Sequence, residues 1–181
     1  MSRNANIVIL CEDGQHEAFI RRFLERRGFE RRKFRVEKAP PGQGSAEQFV
    51  RERYPHEVGY YRSRKHRVDQ GLVVMIDADR KDRGAQLQTA LAEAQVPDRA
   101  ADERIAIFAP ARNIETWLAW LDGHEVNEDD AYPRLANARD CQRHVEALAT
   151  MCDSDTLRQP TPPSLQAACS EYTRRLRGNT R

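Results

Sequence analysis

Four short apolar runs punctuate a strongly polar chain, and between them apolar residues recur every three or four positions. Ile7-Val8-Ile9-Leu10-Cys11 is continuous, mostly β-branched and followed by Glu12-Asp13-Gly14, which predicts a strand buried on both faces. Ala18, Phe19, Ile20, Phe23 and Leu24 then predict an amphipathic helix over 15–27, stopped by Gly28. Phe34 to Val36 predicts a weaker strand. After the loop Pro40-Pro41-Gly42-Gln43-Gly44, Ser45 is placed to cap a helix to about Arg53, and the pattern from there to Arg67 is ambiguous. Leu72-Val73-Val74-Met75-Ile76 is the strongest strand signal and runs into Asp77-Ala78-Asp79-Arg80. Leu87 and Leu91 mark a helix over about 82–94, Ile105 to Phe108 a fourth strand, and Asn113 a cap for a helix over 114–121. Two further helices are predicted over about 140–151 and 164–177, separated by Pro160, Pro162 and Pro163.

Strands alternating with helices at this spacing predict an α/β fold. The expected form is a doubly wound, mostly parallel four-stranded sheet with helices on both faces. Residues 6–121 would form this domain, and residues 122–177 a small helical extension packed on it. The chain has 181 residues, enough for one domain with a sizeable core. No apolar stretch approaches the ~20 residues that span a bilayer, and residues 1–6 carry no signal-peptide pattern, so a cytoplasmic protein with no membrane partner is expected.

The formal charge of +2 conceals an uneven distribution. Residues 21–38 hold nine Lys and Arg against three acids, whereas residues 122–130 hold five acids and no Lys or Arg. The basic run reads either as a solvated helix face or as a surface that tracks phosphates. Arg22 and Arg26, four apart on the first predicted helix, are the pair expected to face solvent and contact nucleic acid. Arg21 is expected to pair with Glu25. Cys11, Cys141, Cys152 and Cys169 form no C-x-x-C pair and are expected to be free thiols.

Ligands of open α/β sheets bind outside the carboxyl ends of the strands, so the residues after each apolar run matter most. Glu12 and Asp13 follow the first run, Asp77 and Asp79 the third, and Arg112, Asn113 and Glu115 the fourth. Carboxylates converging on one edge repel one another and favour a bound cation. Hard oxygen donors select Mg²⁺ or Mn²⁺. Glu12, Asp77 and Asp79 are therefore expected to cluster as metal ligands. Asp77 and Asp79, two apart, would face the same side if the strand continued. The bland alternative makes Asp77 and Asp79 helix caps and Glu12 a loop residue. Arg80 and Lys81 stand beside the pair and could neutralise a phosphate.

The segments 7–17 (Ile-Val-Ile-Leu-Cys-Glu-Asp-Gly-Gln-His-Glu) and 73–80 (Val-Val-Met-Ile-Asp-Ala-Asp-Arg) resemble the Toprim domain. That domain is shared by topoisomerases, primases and the nucleases of overcoming-lysogenization-defect type. Residues 110–118 resemble a further motif of small stand-alone Toprim-like proteins, which are often encoded beside an ATPase in phage-defence clusters. The resemblance spans roughly residues 6–121. It implies that Glu12 serves as general acid or base or as a second metal ligand, that Asp77 and Asp79 hold Mg²⁺, and that Glu115 completes the acidic catalytic set or orients a ligand. Asp13 separates Glu12 from Gly14, so either acid can match the family glutamate. His16 stands where the family has a small hydroxyl residue.

The expected activity is a metal-dependent nuclease, with DNA favoured over RNA as partner. The alternative is a catalytically weak regulatory subunit that docks on an ATPase partner through residues 122–177. A phosphotransferase with Asp77 as nucleophile would want the D-x-D on the first strand rather than the third. His16 reads as a surface residue or as a neutral imidazole facing phosphate. Trp117 and Trp120 read as core residues. The Gly42-Gln43-Gly44-Ser45 loop lacks the lysine of an ATP-binding loop.

Overall fold

A computed structural model describes residues 4–42, 44–154 and 156–177. Gln43 of the glycine-rich loop lies outside them. The strands are β1 (Asn6–Cys11), β2 (Phe34–Lys38), β3 (Gln70–Met75) and β4 (Ile105–Phe108). The α-helices are α1 (Gly14–Arg26), α2 (Ala46–Arg64), α3 (Arg83–Glu93), α4 (Ile114–Leu121), α5 (Gln142–Ser154) and α6 (Pro163–Arg175). Short 3₁₀ turns cover Arg31–Lys33 and Ala138–Cys141.

The sheet is wholly parallel, in the order β2-β1-β3-β4. The continuous apolar runs become the two central strands, and every residue of β3 is buried. Alternate strand residues divide between two cores. Ile7, Ile9, Val73 and Met75 pack with Phe19, Phe23, Trp117, Leu148 and Leu165 from α1, α4, α5 and α6. Val8, Leu10, Leu72 and Val74 pack with Val50, Tyr54, Val58, Leu87 and Leu91 from α2 and α3. Each such fully buried side chain contributes about 1.5–3 kcal/mol. The helices of residues 122–177 thus share a core with the sheet. The β4 edge is covered by α6: Glu171 accepts a hydrogen bond from the Ile107 amide (3.2 Å), and Arg99, which pairs with Glu171, donates to the Ile105 carbonyl (2.6 Å).

The ambiguous stretch after Arg53 continues as helix to Arg64, with Pro55 inside it. Val50, Tyr54, Val58 and Tyr61 recur at helical spacing and are buried, and this packing outweighs the hydrogen bond that proline removes. Cys152 is bonded to Cys169, which joins α5 to α6 and corrects the expectation of four free thiols. The two residues sit on adjacent helices with Cα atoms 5.6 Å apart, a proximity created by packing and not by sequence spacing. Cys11 and Cys141 are free and buried. Among the described residues, no helix is long and apolar enough to cross a membrane.

Candidate functional site

The chain leaves β1 for β2 on one side and later returns through β3 on the other, so the order reverses between β1 and β3. Their carboxyl ends open the crevice where such sheets bind ligands. The register pairs Cys11 with Met75, which brings Glu12 beside the chain leaving β3. Glu12 Oε1 accepts a hydrogen bond from the Asp77 amide at 2.5 Å. Burial pushes the Glu12 carboxyl up to about 7, with repulsion from Asp77 adding to it against the opposing pull of His16, the Asp77 amide and Arg83.

Asp13 has a different occupation. Its side chain caps α1, accepting from the amides of Gln15 (2.9 Å) and His16 (3.0 Å), and it also pairs with Arg134. Burial works against its charge, but His16, these amides and Arg134 outweigh that and hold its pKa below the usual value. With Asp13 committed to the helix, Glu12 is the acid that faces Asp77.

His16 is not on the surface. It is 2% exposed, with Nε2 3.0 Å from Asp77 Oδ1. Burial opposes its charge, yet Asp77, Asp13 and Glu12 together raise its pKa. Its buried Nδ1 has no hydrogen-bond partner among the described residues. Arg83, 3% exposed, donates from Nε to the Asp77 carbonyl (2.8 Å) and from Nη1 to Glu47 (2.9 Å). Asp77 is therefore held at its carboxylate by α1 and at its backbone by α3.

Asp77 and Asp79 do not lie on a continuing strand, because β3 ends at Met75, so the period-two spacing does not set their directions. The following loop is pinned to the segment after β4 by hydrogen bonds from Ala78 to Pro110 (2.7 Å), Asp79 to Arg112 (3.1 Å) and Arg80 to Ala111 (2.8 Å). Asp79 and Arg80 adopt left-handed conformations, φ 48° and 60°, which are strained for residues other than glycine. The Asp79 side chain is exposed and makes no hydrogen bond or ion pair among the described residues. Neither Asp77 nor Asp79 caps α3; Asp82 does, accepting from the Ala85 amide (2.9 Å).

Glu115 is buried and accepts from Gln15 Nε2 (2.9 Å), with Arg134 Nε 3.9 Å away. Asn113 stands at the N-cap of α4, but its side chain accepts no backbone hydrogen bond there. Arg80 turns to the acidic loop, where it donates to the Asp129 carbonyl, as does Arg112 (2.6 Å). Lys81 is exposed beside it. Arg22 is half-buried and donates to the Arg139 carbonyl (3.1 Å), while Arg26 is exposed, so these two do not form one solvent-facing pair. Arg21 pairs with Glu17 (3.0 Å) rather than Glu25. Trp117 and Trp120 are core residues whose ring N–H groups reach Ser164 and Pro160, both at 2.7 Å.

Among the described residues, no group of three or more His, Cys, Asp or Glu side chains is arranged to hold a metal ion. The donor chemistry still fits one hard cation. Mg²⁺ takes only one or two protein carboxylates and completes its shell with water and phosphate, and Asp77 and Glu12 adjoin with Asp79 two residues on. A second ion would call on Glu115, which Gln15 and Arg134 already engage.

Sequence reasoning missed Gln15, Arg83 and Arg134. Only Arg83 left a signal: a cation in the first turn of a helix opposes the helix dipole and needs a local reason. Comparison of the chain with protein-family models, curated proteins and solved structures found no match.

Proposed function

We propose that this chain is a metal-dependent phosphodiester hydrolase acting on nucleic acid, built on a Toprim-like domain and working in the cytoplasm. The observation that carries the reading is the junction of Glu12 with Asp77 across the switch point of the sheet, with buried His16 on the Asp77 carboxylate. Asp77 and Asp79 would hold Mg²⁺ or Mn²⁺, which when bound polarises a phosphoryl oxygen and acidifies water. His16 and Arg83 orient Asp77 from its two ends, as groups around a ligating carboxylate commonly do. Glu12, with a pKa of about 7, is suited to give or take a proton near neutral pH. Asp13, its neighbour, stays ionised, so adjacent acids are driven to different roles by their surroundings. Arg134, 62% exposed and resting between Asp13 and Glu115, brings a guanidinium to the rim of the site.

The test is incubation of the purified protein with plasmid and with labelled single-stranded DNA and RNA, in Mg²⁺, Mn²⁺ or EDTA. Cleavage is expected only with metal, and should fall at least ~100-fold in Glu12→Gln and Asp77→Asn. Cleavage that survives EDTA, or that both variants retain, would refute the proposal, as would no cleavage under any condition.

A further inference from the structure

We infer that a cleft along α1 holds the phosphodiester backbone of a nucleic-acid strand without reading its bases. The inference rests on the phosphodiester chemistry proposed above and extends it to how the strand is held. The cleft has a volume of about 620 Å³. One wall is the α1 stripe from Gly14 through Ala18 and Arg22 to Glu25, which at 1.5 Å per residue runs for about 16 Å. The segment Asn137–Arg139 forms part of the opposite wall, and Arg31 and Lys38 complete the lining.

The lining of this cleft is predominantly basic. Arg21, Arg22, Arg31, Lys38 and Arg139 line it against only Glu17 and Glu25. Glu17 is shared between Arg21 (3.0 Å) and Lys38 (2.8 Å), and Glu25 meets Arg31 at 3.8 Å. Arg22 and Arg139 have no carboxylate partner among the described residues. Arg22 donates only to the backbone carbonyl of Arg139, and the Arg139 guanidinium is exposed. Two uncompensated guanidinium groups in one groove call for an anion with oxygens to share, and phosphate matches their fork geometry.

The lining contains no aromatic side chain, so bases have nothing to stack on. Recognition then falls to the backbone and tolerates any sequence. The Gly14 end lies between Asp13 and the Gln15–His16 pair that reaches Glu115 and Asp77, so a strand lying in the cleft leads to the carboxylates. Arg26 does not line the cleft, and this separates it from the general basicity of residues 21–38.

Fluorescence anisotropy of labelled oligonucleotides, single-stranded and duplex, across a salt series in EDTA tests the inference. Arg139→Ala removes an exposed side chain that has no partner among the described residues, and Arg22→Gln, checked by thermal melting, serves as the second variant. Each should weaken binding and flatten the log–log salt slope, by about 0.7 on single strands or about 0.9 on duplex. The arm with the larger loss identifies the strand form held. Arg26→Ala should leave the slope unchanged. The inference fails if Arg139→Ala binds as wild type does, if Arg26→Ala flattens the slope equally, or if polyglutamate competes as well as an oligonucleotide. Binding without later cleavage in Mg²⁺ would sink the hydrolase reading alone. Cleavage undiminished in both cleft variants would sink the cleft alone.

Discussion

Glu12→Gln should make the metal-free protein more stable, and the gain should depend on pH in a defined direction. The Glu12 carboxyl sits in a partly desolvated site beside Asp77, which raises its pKa from 4.5 to about 7. Below pH 4.5 the group is protonated in both folded and unfolded chains, and the wild type and the variant should differ little. Between 4.5 and 7 the unfolded chain releases the proton while the folded chain retains it, so wild-type stability falls as pH rises. Above 7 the folded protein carries the full cost of the charge. At 1.36 kcal/mol per pH unit the separation corresponds to about 3 kcal/mol, and partial solvent access brings it to about 2–3 kcal/mol. Glutamine keeps an oxygen to accept the Asp77 amide and removes the charge. For a chain of this length the gain amounts to a melting-temperature increase of roughly 5–10 °C at pH 8. Thermal melts by circular dichroism in EDTA at pH 4.5, 6 and 8 measure it, and Mg²⁺ at pH 8 should narrow the gap by stabilising the wild type. A variant no more stable than wild type at pH 8 would refute the reasoning, since Glu12 would then be an ordinary hydrogen-bond acceptor.

Asp77→Ala should destabilise the metal-free protein by about 1–3 kcal/mol relative to Asp77→Asn, because alanine leaves buried His16 without its one side-chain partner; equal denaturation midpoints would show that His16 does not depend on Asp77. Glu103, 2% exposed, is held at a pKa of about 2 by the Arg62 fork, against burial and with help from the Ala100 amide. Its contribution is complete above its ordinary value of 4.5 and is lost as pH falls toward 2. Glu103→Ala should therefore cost about 2 kcal/mol at pH 7, with the difference shrinking through that acid range in urea melts. A constant difference from pH 7 to 3 would contradict this.

The strands were legible because a strand buried on both faces needs an unbroken apolar run, and residues 7–11, 72–76 and 105–108 have one. Helix starts at Ser45 and Asn113 were legible from residue type, although only Ser45 uses its side chain as a cap, and the cap of α3 fell to Asp82 rather than to Asp77 or Asp79. The helix through Pro55 was not legible. Local preference opposes it, and the sheet face that overrides that preference comes from residues far away in sequence. Glu12 and Asp77 were recognisable as candidates because each directly follows or nearly follows a buried run. The role of Asp13 was open until its oxygen was seen to serve the helix that it begins.

Local sequence alone was enough for the α/β class, a mostly parallel sheet and the strand ends at which the carboxylates stand. All of these follow from local periodicity and from the rule that apolar faces must be covered. Tertiary structure alone decided which acids meet. Glu12 touches an amide 65 positions on, His16 a carboxylate 61 positions on, and Gln15 a glutamate 100 positions on. Those pairings depend on strand order and register. Asp79 shows the same dependence: its two-residue spacing from Asp77 would give a shared face on a continuing strand, but β3 has ended, and the amides of residues 78–80 donate to carbonyls of the segment after β4 while Asp79 sits in a left-handed turn. Period-two geometry holds only while a strand continues, and where this strand stops is set by what lies beside it.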